Sequence, residues 1–238
     1  MRYTILFSML VMVSSCVFTT GKRVNGDGNM VTKTRQPGSF SGVEQKGSFN
    51  VELTTGASNE VKIIAEDNII EHIETVVRAG KLLIKTQEGF RLKPTRDIQI
   101  VVVAPSYSSV ESYGSGDIKS SSVLSGTGRL DISTRGSGNI KLDVSVPEVD
   151  ANSTGSGDIV LKGSCNRVSL SSAGSGDLEA DRLGAESADI DIKGSGDASV
   201  NASKDLSIEV RGSGNVRYRG NPSIKSNIKG SGSVEKID

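Results

Sequence analysis

Six acid or amide side chains recur at a nearly constant spacing in the second half of the chain. Each one follows a Gly-Ser-Gly phrase, and together they are Asp117, Asn139, Asp158, Asp177, Asp197 and Asn215. If the segments between them stack in register, Asp158, Asp177 and Asp197 lie one strand spacing apart, about 4.8 Å. Carboxylates at that spacing repel one another, and Ca²⁺ prefers carboxylate oxygens as ligands. The pattern therefore indicates either a calcium site or a shared structural role for these residues.

Regularity favours the structural role. Asn interrupts the series of acids, and a last copy, Gly230-Ser231-Gly232-Ser233, carries neither acid nor amide. Calcium-binding β-rolls repeat about every 9 residues, so that two half-turns clamp each ion, which is about half of the period found here. Asp or Asn after a tight turn can instead accept backbone N–H bonds. We predict turn capping without a resident metal or cofactor, and we keep Asp158, Asp177 and Asp197 as the alternative calcium ladder.

Residue types that support catalysis are scarce. The chain has one histidine, His72, and contains no Ser/His/Asp set, zinc-protease motif or phosphate-binding loop. A carbohydrate-active enzyme needs carboxyl groups placed across a groove, whereas the acids here form a regular column. We therefore predict a protein without enzymatic activity, with a carbohydrate-active enzyme as the least favoured alternative.

The N-terminal sequence indicates covalent lipidation of Cys16. Arg2 and the mostly apolar run 3–13 precede Val13-Ser14-Ser15-Cys16, which resembles a bacterial lipobox. We predict that 1–15 are a lipoprotein signal peptide and that Cys16 carries the lipid, so that several acyl chains hold the protein at a membrane. Val17 follows in place of the Asp that retains many lipoproteins in the inner membrane. This favours the outer membrane of a Gram-negative bacterium, on its periplasmic or its surface face.

Composition limits the partners further. Lys plus Arg and Asp plus Glu number 28 each, so the net charge is near zero, which argues against a nucleic-acid partner. Once Cys16 is modified, Cys165 is the only thiol left, and no intramolecular disulfide can form. Cys165 lies between two strand-like runs, where a small filler in a turn is favoured over a reactive thiol.

The spacing of the glycine phrases predicts the architecture. Successive phrases begin 22, 19, 19, 20, 18 and 18 residues apart, the period of a solenoid in which each repeat is one coil. The unequal spacing breaks the six-residue phasing of a left-handed β-helix and favours a right-handed parallel one. We predict that the paired glycines form its corners: Gly114, Gly116, Gly136, Gly138, Gly155, Gly157, Gly174, Gly176, Gly194, Gly196, Gly212 and Gly214.

The first half of the chain is less regular. Residues 16–37 are polar and predict a flexible tether. Alternating apolar residues predict strands over 48–53, 61–65, 81–85 and 97–104. An apolar stripe of helical period predicts one short helix over 67–78, with Asp67 as its N-cap, Gly80 beyond its end and His72 on its polar side. The basic stretch 90–96 predicts a solvated loop, with lipid head groups as an alternative contact.

Taken together, several of these segments resemble a known family. The lipobox, Phe40-Ser41-Gly42-Val43, Gly80-Lys81-Leu82-Leu83-Ile84 and the serial glycine phrases are similar to the autotransporter-adhesin "head GIN" family of unknown function, over about 38–238. The resemblance implies a right-handed parallel β-helix similar to pectin lyase folds, without their catalytic residues, and an adhesive role. We expect one β-helix domain, with N-terminal coils over 38–113 and repeat coils over 114–238.

Three functions follow as expectations. The first is a lipid-anchored envelope adhesin that binds a glycan or a protein through the flank of the β-helix. The second is a structural or stress-response envelope module without a dedicated ligand, and the third is the enzyme. The last coil, near Val234 and Ile237, is either a contact in a homo-oligomer or a frayed end, because natural proteins usually cover an open edge.

Overall fold

The computed structural model describes residues 21–238, and these residues form a β-solenoid. Strands make up 68% of the structure, with one very short helix and about seven turns of parallel stacked coils. The all-β parallel solenoid predicted from the spacing of the glycine phrases is therefore confirmed.

Nine strands and the helix precede the repeat coils. In order they are β1 (Lys22–Asn25), β2 (Met30–Arg35), β3 (Gly42–Gly47), β4 (Asn50–Thr55), β5 (Glu60–Glu66), α1 (Asp67–Ile70), β6 (Ile73–Arg78), β7 (Lys81–Thr86), β8 (Phe90–Lys93) and β9 (Gln99–Ala104). The four strands predicted in this half of the chain correspond to β4, β5, β7 and β9.

The repeat coils contain twelve strands, of which β17 and β18 are long enough to follow the chain around most of a coil. They are β10 (Ser109–Gly114), β11 (Ile118–Ser125), β12 (Arg129–Gly136), β13 (Ile140–Ser145), β14 (Glu148–Gly155), β15 (Ile159–Ser164), β16 (Arg167–Gly174), β17 (Leu178–Gly194), β18 (Ala198–Gly212), β19 (Val216–Arg219), β20 (Ser223–Gly230) and β21 (Val234–Lys236).

Each coil contributes a strand to each of two parallel stacks, and a glycine corner joins the two strands. The first stack runs β7, β3, β10, β12, β14, β16, the second halves of β17 and β18, and β20. The second stack runs β9, β4, β11, β13, β15, the first halves of β17 and β18, then β19 and β21. The chain order differs from the stacking order, because the β3–β4 coil lies between the β7–β9 level and the β10–β11 coil.

The core is one continuous cluster between the two stacks. Successive coils place Leu130, Val149, Val168, Ala188 and Leu206 in one register column, and each of these side chains is almost completely buried. Aliphatic side chains of this size suit a narrow interior, since each packs on its equivalents in the coils above and below.

The two ends of the solenoid differ. At the N-terminal end, β5 pairs antiparallel with β9, β2 pairs antiparallel with β5, and β6 pairs antiparallel with β7. At the C-terminal end, Ile224 of β20 is 41% exposed although Leu206, directly below it, is buried. The described part of the chain therefore closes one end of its core and leaves the last coil uncovered.

The helix predicted over 67–78 is wrong for most of its length. The helix α1 ends at Ile70, and β6 follows it. Asp67 is the first helical residue, not the N-cap, and its carboxylate pairs with Lys33 at 2.9 Å. Ala79 and Gly80 both have positive φ, +49° and +76°, and form the two-residue turn of a β6–β7 hairpin. The β-branched run from Ile73 to Val77 favours the strand, and Gly80 serves the turn rather than a helix end.

The predicted tether and basic loop are also corrected. Of the tether, residues 16–20 lie outside the described part, whereas β1 and β2 occupy much of 21–37. The stretch predicted as a solvated loop contains β8, which pairs in parallel with β1. Both strands are short and polar, and their partners are distant in sequence, so local patterning does not reveal them. No helix in residues 21–238 is long and apolar enough to span a membrane.

Candidate functional site

The glycine corner is the most regular feature of the solenoid, and its two glycines serve different purposes. Gly155, the first of its pair, has a φ of +124°, a conformation that residues with a Cβ rarely adopt. Gly157, the second, has no such requirement, but a Cβ there would lie closer than 3.0 Å to the carbonyl oxygen of Gly138 in the preceding coil. Successive corners thus stack backbone on backbone. The predicted corner glycines all lie in this arrangement.

The Asp and Asn residues of the corners form a hydrogen-bonded ladder along the solenoid. The Oδ1 atom of Asp158 accepts the backbone N–H of Asp177 at 2.9 Å, and the Oδ1 atom of Asp177 accepts that of Asp197 at 2.8 Å. The same bond links the remaining members, from Asp117 through Asn139 to Asp158 and from Asp197 through Asn215 to Ser233. We predicted a cap within each turn, but the side chain instead caps the equivalent amide of the next coil.

This ladder uses one oxygen of each side chain for a structural bond. Asn can replace Asp in it because the amide oxygen accepts the same N–H. Between residues 21 and 238, no three His, Cys, Asp or Glu side chains are grouped so as to hold a metal ion, and this includes Asp158, Asp177 and Asp197. The geometry therefore gives these residues a hydrogen-bonding role and offers no support for the calcium alternative.

A column of buried hydroxyl groups supports the corners from inside. The hydroxyl groups of Thr134, Ser153 and Ser172 donate to the carbonyl oxygens of Gly138, Gly157 and Gly176, at 2.9, 2.7 and 3.1 Å. Each hydroxyl residue stands four positions before the second glycine of its phrase. In the later coils Ile192 and Val210 occupy the same register position.

Sequence reasoning missed this column and one further corner. Gly47-Ser48-Phe49-Asn50 is a divergent copy of the phrase, with Phe49 in place of the second glycine. Gly47 has a φ of +125° and pairs in register with Gly114, and the Oδ1 atom of Asn50 begins the ladder by accepting the N–H of Asp117 at 3.4 Å. The shared Gly-Ser and the final Asn were the signals that could have identified it.

The outward flank of the first stack differs from the corners, because it carries charged side chains that face solvent. We use "outward flank" for the solvent-facing side chains of β12, β14, β16, the second halves of β17 and β18, and β20. Arg129 pairs with Asp131 at 2.6 Å and with Asp150 at 2.5 Å, and Arg167 pairs with Asp189 at 3.0 Å. Because these pairs are solvent-accessible, each contributes about 0–1 kcal/mol at most to stability.

A groove of about 270 Å³ crosses the C-terminal part of this flank. We call it the flank groove, and its polar lining consists of Arg167, Ser187, Asp189, Asp205, Ser207, Ser223 and Lys225. Asp205 and Lys225 form no ion pair with any residue of the described chain, 21–238. A groove with three hydroxyl groups and unpaired charges of both signs can hydrogen-bond a polar ligand.

Cys165 and His72, the other candidate residues within 21–238, are packed against their neighbours. Cys165 is buried, and burial raises the pKa of its thiol to about 11, which disfavours the reactive thiolate. His72 lies in the turn between α1 and β6, where its ring stacks on Phe90 at a centroid distance of 4.0 Å. Cys16, the predicted lipidation site, lies outside the described residues.

Solved structures share this fold. A "putative adhesin" from Bacteroides fragilis is 25% identical, with a TM-score of 0.85 over 90% of this chain and 100% of its own. A "putative lipid binding protein" from Parabacteroides distasonis is 25% identical, with a TM-score of 0.73 over 91% of this chain and 100% of its own. A "putative adhesin" from Parabacteroides merdae, at 19% identity, has a TM-score of 0.75 over 92% of this chain and 100% of its own, and it shows the fold alone. No curated protein matches the chain.

A family model covers most of the described residues. It matches residues 39–222, from the strands before the first complete corner to the next-to-last coil. The match includes most of the stacked corners, most of the ladder and most of the flank groove. The chain therefore belongs to the family described as "Putative auto-transporter adhesin, head GIN domain".

Proposed function

We propose that this protein is a non-catalytic, lipid-anchored adhesin of the cell envelope that binds a glycan or a protein partner in its flank groove. The names of the family and of its solved neighbours support an adhesive, exported protein. The one observation that carries the choice of surface is the contrast between the corner, where the ladder is hydrogen-bonded internally, and the groove, where Asp205 and Lys225 are unpaired within 21–238.

The chemistry of the groove supports a polar partner. Serine hydroxyls both donate and accept hydrogen bonds, and the charged groups on either side can bind hydroxyls, amides or opposite charges. Exposed charges contribute little to the stability of the solenoid. Their placement beside a groove is therefore better explained by recognition than by folding.

Catalysis on carbohydrate is the less favoured function. A glycosidase requires one carboxyl group as acid and another as base or nucleophile, facing each other across the scissile bond. In the flank groove, Asp189 already pairs with Arg167, and the second acid, Asp205, is exposed. Within residues 21–238 the groove therefore offers only one carboxyl group that is outside an ion pair, whereas the reaction needs two. An envelope module without a dedicated ligand stays the second proposal, to be judged by the binding test.

The test is binding to a glycan array and to immobilised envelope proteins, together with a screen for glycan turnover. We expect the wild-type protein to bind without turnover, and the Asp205→Asn/Lys225→Gln variant to lose at least tenfold in affinity. A matched control, Lys141→Gln/Glu179→Gln, changes one charge of each sign on the second stack and should bind as wild type. Turnover would overturn the non-catalytic proposal, and absence of binding to every probe would favour the module without a ligand.

Lipid anchoring is proposed at Cys16. The lipobox-like sequence Val13-Ser14-Ser15-Cys16 supports it. Mass spectrometry of the N-terminal peptide from membranes of the native host tests the proposal directly. We expect a chain that begins at Cys16 and carries acyl groups, and an unmodified thiol would contradict it. Protease treatment of intact cells then distinguishes a surface position from a periplasmic one.

A further inference from the structure

The ribbon formed by β1 and β8 presents positive charge on its exposed side. The register pairs Arg23 with Arg91 and Val24 with Leu92. Val24 and Leu92 pack against the core. Because successive side chains of a strand point to opposite faces, Arg23 and Arg91 lie on the outer face, and both are exposed.

This charge has no ion-pair partner among the residues that the structure describes, 21–238. Like charges placed directly opposite each other on neighbouring strands are unfavourable, which is the arrangement of Arg23 and Arg91. Within residues 21–238, none of the basic residues of this region forms an ion pair, and these are Lys22, Arg23, Arg91, Lys93 and Arg96. The twenty residues before Gly21 contain no Asp or Glu. An anion from outside the chain would therefore relieve the repulsion.

The ribbon also encloses a shallow groove. It has a volume of about 270 Å³ and is lined by Gly21, Arg23, Arg91, Leu92 and Lys93. Three cationic side chains around one groove suit a phosphate-bearing surface. Arg in particular binds phosphate oxygens through two parallel N–H bonds.

Hydrogen bonds to Glu66 and Asn68 hold the ribbon in place. The carboxylate of Glu66 accepts the N–H of Gly28 at 2.7 Å and both the N–H and the hydroxyl of Thr95 at 2.8 and 2.6 Å. These two residues follow β1 and β8, respectively. In addition, the side-chain amide of Asn68 donates to the carbonyl oxygen of Asn25 at 2.7 Å. The basic groups are thus presented from a fixed scaffold.

The ribbon lies close in sequence to the proposed lipid anchor at Cys16. Lys22 begins β1, and the peptide from Cys16 to Lys22 can span at most about 20 Å, at about 3.4 Å per residue. A lipid on Cys16 would therefore keep the ribbon close to the bilayer surface. The last coil, with β20 and β21, lies at the opposite end of the stack.

We propose that the β1–β8 ribbon docks on anionic lipid head groups beside the anchored N-terminus. Docking orients the solenoid with its closed end toward the bilayer and its flank groove away from it. The inference deepens the proposed anchoring of Cys16 and rests on it for the orientation. Its test depends on the charge of the lipid, so it can fail while acylation of Cys16 holds.

The experiment measures binding of the full chain to vesicles of pure phosphatidylcholine and to vesicles with 30% phosphatidylglycerol. The apolar N-terminal run is common to all variants, so the ratio of the two affinities isolates the electrostatic contribution. A basic residue near an anionic surface contributes about fivefold in affinity, so we expect Arg23→Ser/Arg91→Ser to lower this ratio by about 30-fold. High salt should lower the wild-type ratio in the same way.

The control is Arg182→Ser/Lys229→Ser, which removes the same charge from exposed positions of the repeat coils. It should keep the wild-type ratio, and both variants should keep the wild-type unfolding temperature. An unchanged ratio in Arg23→Ser/Arg91→Ser, or an equal loss in the control, overturns the proposal. Competition by millimolar inorganic phosphate at constant ionic strength also overturns it, because the groove would then bind free phosphate in place of a lipid surface.

Discussion

At the glycine corner each coil repeats the residue types of the coil below it, whereas on the outward flank neighbouring coils differ. The corner column reads Gly136, Gly155, Gly174, Gly194, Gly212 along the stack. A flank column of the same coils reads Asp131, Asp150, Ser169, Asp189, Ser207.

The difference follows from what surrounds each column. Corner residues contact the backbone of the next coil. In every coil the close approach therefore leaves no room for a Cβ, and one backbone N–H needs a side-chain acceptor from the coil before it. Flank residues face solvent, where most substitutions change stability by less than about 0.5 kcal/mol. Regularity in a solenoid therefore marks the residues that hold the coils together, and recognition belongs where the coils differ.

The largest expected effect separates two neighbours within one corner. Gly157→Ala places a Cβ closer than 3.0 Å to the carbonyl oxygen of Gly138, and the coils must move apart to accept it. We expect a loss of about 3 kcal/mol in the free energy of unfolding. Ser156→Ala, at the exposed residue beside it, should change that free energy by less than about 0.5 kcal/mol. Equilibrium unfolding in guanidinium chloride measures both, and equal stabilities would show that the corner is not tightly packed.

The second prediction compares two adjacent serines. Ser172 is 2% exposed and donates to the carbonyl oxygen of Gly176, whereas Ser171 faces outward. Ser172→Ala leaves that carbonyl without its buried donor and should cost about 1–2 kcal/mol. Ser171→Ala should be close to neutral. Thermal unfolding of the two variants measures the difference. A neutral Ser172→Ala would show that the buried hydroxyl groups do not stabilise the corners.

The third prediction concerns the ladder. Asp177→Ala removes the acceptor for the N–H of Asp197 and should lower the unfolding free energy by about 1 kcal/mol. Asp177→Asn keeps an acceptor oxygen and should change it by less than about 0.5 kcal/mol. Added Ca²⁺ should leave the unfolding temperature of the wild-type protein unchanged. A rise with Ca²⁺ that Asp177→Asn abolishes would restore the calcium alternative.

The smallest and most local effect is pH-dependent. Hydrogen bonds from Thr95, and then from the backbone of Gly28, lower the pKa of Glu66 from its ordinary value of 4.5. A lowered carboxyl pKa stabilises the fold above the unfolded-state value, and this stabilisation is lost as the pH falls through the folded-state value. We therefore expect the protection of the β1 and β8 amides, relative to their intrinsic exchange rates, to fall below about pH 4.5, ahead of that of the repeat coils. Glu66→Gln should show fast exchange already at pH 7, while Glu88→Gln, an exposed control, should not.

The sequence predicted the repeat coils well because their information is local. The nearly constant spacing of the glycine phrases, together with period-2 alternation within each coil, was sufficient to predict stacked parallel strands in register. The role of Asp158 and Asp177 was predicted only in part, because the amide that each side chain caps lies 19 or 20 residues away.

The N-terminal region was harder because its pairing is not local. The apolar stripe that starts at Ile69 fits a helix as well as a strand, and only the Ala79-Gly80 turn with the neighbouring β7 decides between them. Similarly, β1 finds its partner β8 at a separation of 68 residues, from Lys22 to Phe90. The flank groove was also beyond prediction, since it forms only where four coils bring their variable residues together.

The most direct test is a proteolysis-resistance measurement of every single alanine variant from Ser109 to Gly230. We expect stability losses to follow the register columns, with large losses at both corner glycines, intermediate losses at the ladder and the hydroxyl residues, and negligible losses along the outward flank. Corner glycines that tolerate alanine as well as flank residues do would contradict the claim that the repeated phrase exists to stack the coils.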